Sequence, residues 1–435
     1  MERTLIEELS SLEGNPVRVC GWVEKLRSQK QMQFLIIRDH TGRAQASHEK
    51  ATNPEMTALI DNLTTESVIE IVGRVVLNPA IKFGGLEVVV ESITVVGRAD
   101  SPPPLNANSP PEARLDWRFL DLRTPRNLLI FKLQTALEHA MRSFWRSEGF
   151  IEIHSPKFMG GASESGAELF RVAYFDRYAY LAQSPQFYKQ MAMAAGFDRV
   201  FEIGPVFRAN PSFTTRHDTE FTSVDVEISW IESHEDVMRL EERWLQHALQ
   251  VARDELGGEI KSKFGVEVVA PKIPFPRVTM KEAYEILERM GHHIERGEKG
   301  DLDPEGERLL HQHFHNKTNH EFVFVTDYPA TVRPFYHMRH ETKPHLTKSF
   351  DLLWKGLEVT TGAQREHRYA ILVEQAKEKG LALEPIQYYL DFFRYGCPSH
   401  GGYGFGLTRM LMTILGLKNV REATYLYRGV NRLAP

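Results

Sequence analysis

Two cysteines, Cys20 and Cys397, are all that the 435 residues contain. Placed so far apart, they offer neither a disulfide framework nor a zinc quartet. No apolar run approaches the ~20 residues needed to span a bilayer, so no membrane partner is expected. The opening residues, MERTLIEELSS, are polar and acidic, unlike a signal peptide, and a cytoplasmic location is the expectation. A positive excess is missing too: 53 Lys+Arg stand against 58 Asp+Glu, a net charge of −5. That excludes a general, charge-driven nucleic-acid binder. Even residues 1–100 carry 11 Lys+Arg against 14 Asp+Glu, so any RNA contact must rest on localised groups and base stacking.

What is present suggests at least two domains, since the chain exceeds one ordinary core. Residues 1–100 hold five strand candidates: Val17–Glu24, Gln33–Asp39, Ala44–Ser47, Ser67–Val76 and Leu86–Val96. A helical patch near Pro54–Leu63 falls between the third and fourth. This order predicts an all-β OB-fold barrel, a frequent single-strand nucleic-acid binder. Phe34 and Gln45 lie on adjacent predicted strands, an aromatic face beside an amide able to read a base edge. Burial of Phe34 in the core is the other reading of the same spacing. Ser101–Pro111, SPPPLNANSPP, reads as a stiff linker, which sets the boundaries at 1–100, 101–123 and 124–435. Asn127–Gly149 carries a broad apolar helical face and runs into the extended segment GFIEIHSPKF. A further helix is expected over Glu235–Leu256.

The most informative stretch is Val206–Trp230, VFRANPSFTTRHDTEFTSVDVEISW. Period-two alternation on both sides of a polar, turn-rich loop predicts an antiparallel hairpin. Arg208, Arg216, His217 and Asp225 then project from neighbouring strands or their loop, and fixed guanidinium groups suit a polyphosphate. Ser349–Arg368 is a second hairpin turning at Lys355–Gly356, with Asp351 and Glu358 on paired strands able to share a divalent cation through hard oxygen ligands. Ser184 stands where it can cap the helix beginning at Gln186. Lys189, in an otherwise apolar segment, must meet an anion. His311, His313 and His315 lack an acid or cysteine to complete a metal site.

FRA…TTRH…EFTSVDVE resembles motif 2 of the class II aminoacyl-tRNA synthetases, in detail closest to aspartyl-tRNA synthetases of the compact archaeal and eukaryotic type. The long helix, strand and Pro156 resemble motif 1, and GCPSHGGYGFGLTR (Gly396–Arg409) resembles motif 3. The resemblance implies an OB-fold anticodon-binding domain followed by an α+β catalytic domain built on an antiparallel sheet flanked by helices. It implies ATP as a substrate, Mg²⁺, L-aspartate, tRNA(Asp) and a homodimer. Phe34, Gln45 and Glu87 fall at the anticodon positions. Arg208 corresponds to the α-phosphate arginine, with Arg216 and His217 near the γ-phosphate. Arg409 and Phe221 fall at the adenine, and Asp351 and Glu358 at the metal. Glu164, Ser184, Gln186, Lys189, Asp225 and Arg365 correspond to aspartate-binding positions, Lys189 and Arg365 forming a two-cation pocket for the side-chain carboxylate.

Two positions depart from the family. Asn210 stands where motif 2 usually has an acid, and Thr408 replaces the acid before the motif 3 arginine. Both changes predict weaker ATP binding, and they motivate a rival reading as a catalytically impaired tRNA-binding paralogue. An asparaginyl-tRNA synthetase is the nearest enzyme rival. Glu24 stands where strict archaeal-type relatives tend to offer a bulky aromatic. This favours a relaxed enzyme that also charges tRNA(Asn), with an amidotransferase acting downstream.

Overall fold

Alternation of apolar and polar side chains closes residues 16–97 into a barrel. Val17, Val19 and Val23, then Leu35 and Ile37, point inward and are fully buried, while their strand neighbours face out. The strands Pro16–Ser28, Met32–Arg38, Arg43–Glu49, Leu86–Gly97 and Val68–Leu77 join in that order, and the last pairs with the first. Arg43–Glu49 and Leu86–Gly97 run parallel. A helix, Pro54–Asp61, lies between the third and fourth strands in sequence. It starts cleanly because Asn53 caps the Met56 N–H and Pro54 fills the first turn. The expected OB-fold is therefore observed; the first and third strands run several residues longer than their apolar pattern, and the ends of the other three fall within one residue of it.

The computed structural model describes residues 1–161, 168–211, 214–294 and 300–435, and the chain forms two units, Met1–Leu128 and Leu129–Pro435. Within the first unit the proline-rich stretch is followed by two short helices, Pro111–Asp116 and Arg118–Asp121. They are tied together where Arg114 and Arg118 donate to Asp121 at 2.9 and 2.7 Å.

The second unit is organised on an eight-stranded sheet. Its order is Arg277–Thr279, Phe322–Thr326, Ser349–Trp354, Leu357–Gln364, His400–Gly406, Glu220–Ser229, Arg199–Phe207 and Ile151–Glu152. All neighbours are antiparallel except the outermost pair at each edge. Two long helices, Pro125–Ser147 and His234–Phe264, bury their apolar faces against it. Trp145 and Trp244 are wholly buried there, with ring centroids 5.6 Å apart. The expected helix over Glu235–Leu256 continues through Gly257 and Gly258 to Phe264. Each glycine costs about 1 kcal/mol of helix propensity, but Ile260 and the half-buried Phe264 keep the apolar face in the core. Gly265, in the left-handed conformation, ends the helix. Among the described residues no helix is long and apolar enough to cross a membrane.

The helix His234–Phe264 also carries a buried acid to the underside of the sheet. Glu241 accepts a hydrogen bond from Thr360 Oγ1 at 2.6 Å, while its other oxygen has no partner. Burial pushes its carboxyl up to about 8. The folded protein thus holds a proton that the unfolded chain releases near pH 4.5, and stability falls as pH rises between those values. Glu241→Gln removes this linkage. Its stability relative to the parent is expected to grow with pH from about 4.5 to 8, which urea unfolding at a series of pH values measures.

Candidate active site

The anticipated hairpin is present, Arg199–Phe207 pairing with Glu220–Ser229 so that Val206 faces Phe221. Glu220–Ser229 lies next to His400–Gly406, and that strand next to Leu357–Gln364. Val224 and Val226 point into the helix-covered core. Asp225 and Glu227, in alternate positions, therefore face the other side. A cavity of about 400 Å³ opens there. Ten of the residues singled out from the sequence line it: Ser184, Gln186, Arg208, Arg216, His217, Phe221, Asp225, Glu358, Arg365 and Arg409.

Three others are placed differently. Lys189, on the helix Gln186–Ala194, is 2% exposed and is not part of the lining. Its expected anion is supplied by the protein. Nζ donates to Asp225 Oδ1 at 3.0 Å and to the carbonyls of Tyr403 and Val226, and it lies 3.4 Å from Glu227 Oε2. Asp351 lies behind the lining, where Arg333 donates to its Oδ2 at 2.6 Å. Strand register sets it opposite Thr361, whereas Glu358 faces Leu353. Glu164 falls outside the described residues.

The sequence pattern missed Glu227, which joins the two anticipated cations. Arg365 Nε donates to Glu227 Oε1 at 3.0 Å, so the expected pair of cations has a carboxylate between them. Asp225-x-Glu227 spacing was the available signal, because period two puts both acids on one face. Arg365 also donates to the Gly402 carbonyl at 2.9 Å and meets His337 Nε2 at 3.0 Å. Burial, then the charge of Arg365, holds His337 well below the usual imidazole range, so the ring is neutral. Within the glycine-rich segment Gly396–Arg409, residues His400–Gly406 form a strand. A Cβ on Gly402 would collide with the Val226 carbonyl and the Glu227 carboxylate, so the small residue makes room for the buried acid.

The far end of the cavity gathers the remaining cations. Arg208 Cζ lies 5.6 Å from the Phe221 ring centroid. Arg216 donates to Glu307 Oε2 at 3.1 Å, an acid from the helix Pro304–Thr318 that the motifs did not reveal. Burial pushes the Glu307 carboxyl up to about 7 despite that arginine. Burial and the charge of Arg409 push the His217 imidazole down. Arg409 donates to the Glu358 carbonyl at 2.7 Å. Ser184, expected as a helix cap, sits one position before the Pro185 cap, its hydroxyl 3.4 Å from the Gln186 N–H. His311 and His315 stack with centroids 5.5 Å apart, and among the described residues no group of three or more His, Cys, Asp or Glu side chains is arranged to hold a metal.

On the barrel, Phe34 is half-buried on the outer face, opposite in direction to Leu35. Gln45 faces Ile36 in register, a diagonal neighbour of Phe34. Gln45 Nε2 donates to Glu87 Oε2 at 3.2 Å, and Arg27 lies 5.2 Å from the Phe34 ring centroid. The outward ring removes the core reading of Phe34.

Residues 110–428 match the family described as tRNA synthetases class II (D, K and N), and residues 17–96 an OB-fold nucleic acid binding domain. This chain belongs to the class II tRNA synthetases. The synthetase is similar over nearly its whole length to two archaeal enzymes. One is the aspartate–tRNA(Asp/Asn) ligase of Aeropyrum pernix, 44% identical, covering 99% of this chain and 98% of the relative. The other is the aspartate–tRNA(Asp) ligase of Pyrococcus abyssi, 44% identical, again covering 99% and 98%. A solved asparaginyl-tRNA synthetase of Pyrococcus horikoshii, complexed with asparaginyl-adenylate, superposes with a TM-score of 0.93 at 32% identity over all of both chains.

Burial raises the carboxyl of Glu227, but Arg365 and Lys189 outweigh it and bring it below the ordinary value of 4.5. Its contribution is thus complete above about pH 4.5 and lost as pH falls through the lower folded value. Glu227→Gln is expected to cost about 3–5 kcal/mol, because two buried cations lose their shared partner. Urea unfolding at neutral pH checks the loss, and acid titration should show a flatter stability profile in the variant.

Proposed function

We propose that this synthetase joins ATP and L-aspartate into aspartyl-adenylate and passes the aspartyl group to tRNA(Asp). The observation that carries the reading is the pairing of opposite charges at one end of the cavity. Asp225 offers a carboxylate to an amino acid's ammonium, and Arg365 a guanidinium to its carboxylate. Full-length likeness to aspartate–tRNA ligases supports the choice of amino acid. Ser184 and Gln186 orient the amino acid from the turn before the helix. Lys189 acts from behind, fixing Asp225 and Glu227, and Glu164 would approach the ammonium.

Arg208 holds the α-phosphate, Arg216 and His217 the γ-phosphate, and Arg409 the terminal phosphate and the base, which stacks on Phe221. A substrate carboxylate oxygen attacks the α-phosphorus. One P–O bond forms, and the P–O bond to pyrophosphate breaks. The terminal ribose hydroxyl of the tRNA then attacks the acyl carbon, and AMP leaves. Catalysis here is positioning and charge neutralisation, so no side-chain nucleophile is needed. Glu358, with Asp351 behind it, fits Mg²⁺: both offer hard oxygen ligands, and Asp351 Oδ1 is buried with no hydrogen-bond partner. The ion would neutralise charge on the polyphosphate.

The barrel of residues 1–100 reads the anticodon, Phe34 stacking on a base while Gln45 and Glu87 read its edges. Glu24 is drawn into ion pairs with Arg43 at 2.8 Å and Arg38 at 3.7 Å and presents no aromatic surface. The relaxed reading, in which tRNA(Asn) is also charged for a downstream amidotransferase, rests on this and on the Asp/Asn relative. A homodimer is proposed from the motif 1-like helix and from the edge strand Ile151–Glu152, where Ile151 is 46% exposed. Likeness to the asparaginyl enzyme supports a second reading, activation of asparagine.

Amino-acid-dependent ATP–pyrophosphate exchange separates these readings. Aspartate, not asparagine, is expected to drive exchange, and Arg365→Gln to lower it by about 100-fold or more, in line with losing a charge-assisted pair of about 3 kcal/mol. Charging assays with purified tRNA(Asp) and tRNA(Asn) should give product with both. Exchange with asparagine alone would refute the assignment.

A further inference from the structure

Asp218 follows His217 in the hairpin loop and lines the cavity, yet none of the roles above employs it. It is 7% exposed. Oδ2 accepts from Thr424 Oγ1 at 3.0 Å, while Oδ1 is buried with no hydrogen-bond partner. Leaving a buried carboxylate oxygen without a donor is costly. Burial is accordingly the main influence on this group and pushes its carboxyl up to about 7 against the positive charges of Arg421 and Arg409. The position is held firmly: Val420 N–H donates to Thr215 O at 3.0 Å, and Thr219 N–H to Arg428 O at 3.1 Å. An orphaned oxygen on a fixed loop at a ligand cavity implies a donor that arrives with the ligand.

Which donor is constrained by position. Asp225 serves the amino-acid end of the cavity, and the strand stretch Glu220–Asp225, which begins after the Asp218 loop, alone spans roughly 17 Å at the rise of a β-strand. That exceeds the reach of one amino acid. Phosphate oxygens are acceptors and repel a carboxylate. Phe221, the stacking platform in the proposed reading, lies between Asp218 and Asp225 in the chain. The remaining donors on ATP are the exocyclic amine of the base and the ribose hydroxyls. A carboxylate accepting from a base amine is an established way of reading a base edge.

We propose that Asp218 is a base-reading residue, its free oxygen accepting a hydrogen bond from the 6-amino group of adenine. Asn210, which also lines the cavity, stands where the family pattern leads one to expect an acid. Asp218 supplies a carboxylate from a different point of the same loop.

The inference rests on ATP being the nucleotide, and direct binding titrations test both. Three ligands are used: ATP, purine-riboside triphosphate, which lacks the amine, and 2′-deoxy-ATP. The wild type is expected to bind ATP roughly tenfold or more tighter than purine-riboside triphosphate. Asp218→Ala should bind these two alike while keeping the wild-type ratio between ATP and 2′-deoxy-ATP. Thr424→Ala, which leaves the free oxygen in place, should keep the preference for ATP. The inference is overturned if Asp218→Ala retains the base preference, weakens all three ligands equally, or loses discrimination at the ribose instead. A wild type that fails to bind ATP would overturn the functional reading as well, whereas ATP binding with an unaltered base preference overturns this inference alone.

Discussion

One buried carboxylate, Glu227, joins the two cations around which the catalytic unit is arranged. Lys189 reaches it from the helix Gln186–Ala194 and Arg365 from the end of the strand Leu357–Gln364. The next strand must have a glycine at position 402 to leave the acid room. Burying three charges carries a large desolvation cost, and such an arrangement is weak evidence of stability. What it provides is geometry. The lysine is held by Asp225 and two backbone carbonyls as well, and the arginine by a carbonyl and a neutral histidine. Each cation therefore has one orientation available, which is the condition for presenting a guanidinium to a small, charged ligand.

Much of this was readable from residues 206–230, because a half-buried strand writes its orientation into the sequence at period two. Val224 and Val226 mark the core side, and Asp225 marks the open side. The barrel was legible for the same reason. The strand His400–Gly406 was not, since alternate glycines carry no side chain to reveal the period. The last turns of the helix His234–Phe264 were hidden by Gly257 and Gly258, whose poor propensity is outweighed by packing that only the folded chain shows. Glu307 and Arg333 were unreadable for a third reason. They reach the site from segments far away in sequence, and nothing local announces the partner of a charge.

The departures at Asn210 and Thr408 look less disruptive in the folded chain than in the sequence. Both residues line the cavity, yet neither arginine associated with them has lost its support. Arg409 is fixed by the Glu358 carbonyl, and the backbone N–H of Arg208 donates to Thr219 O at 2.9 Å. Arg216 is steadied by Glu307, whose second contact is the Glu358 N–H. Glu307 thus ties Arg216 to the strand that carries Glu358, at the end of the cavity where Arg409 also lies.

Pairing among the residues that line the cavity has a bearing on what the enzyme ignores. Arg216, Arg365 and Arg409 each have an acceptor within the protein, so the pocket is no open trap for stray anions. A sulfate or a lone phosphate must compete with oxygens already in place and brings nothing to offer Asp225. Only a guest carrying both signs of charge, or several phosphates at once, gains more than it displaces, so the cavity discriminates by charge pattern as well as by shape.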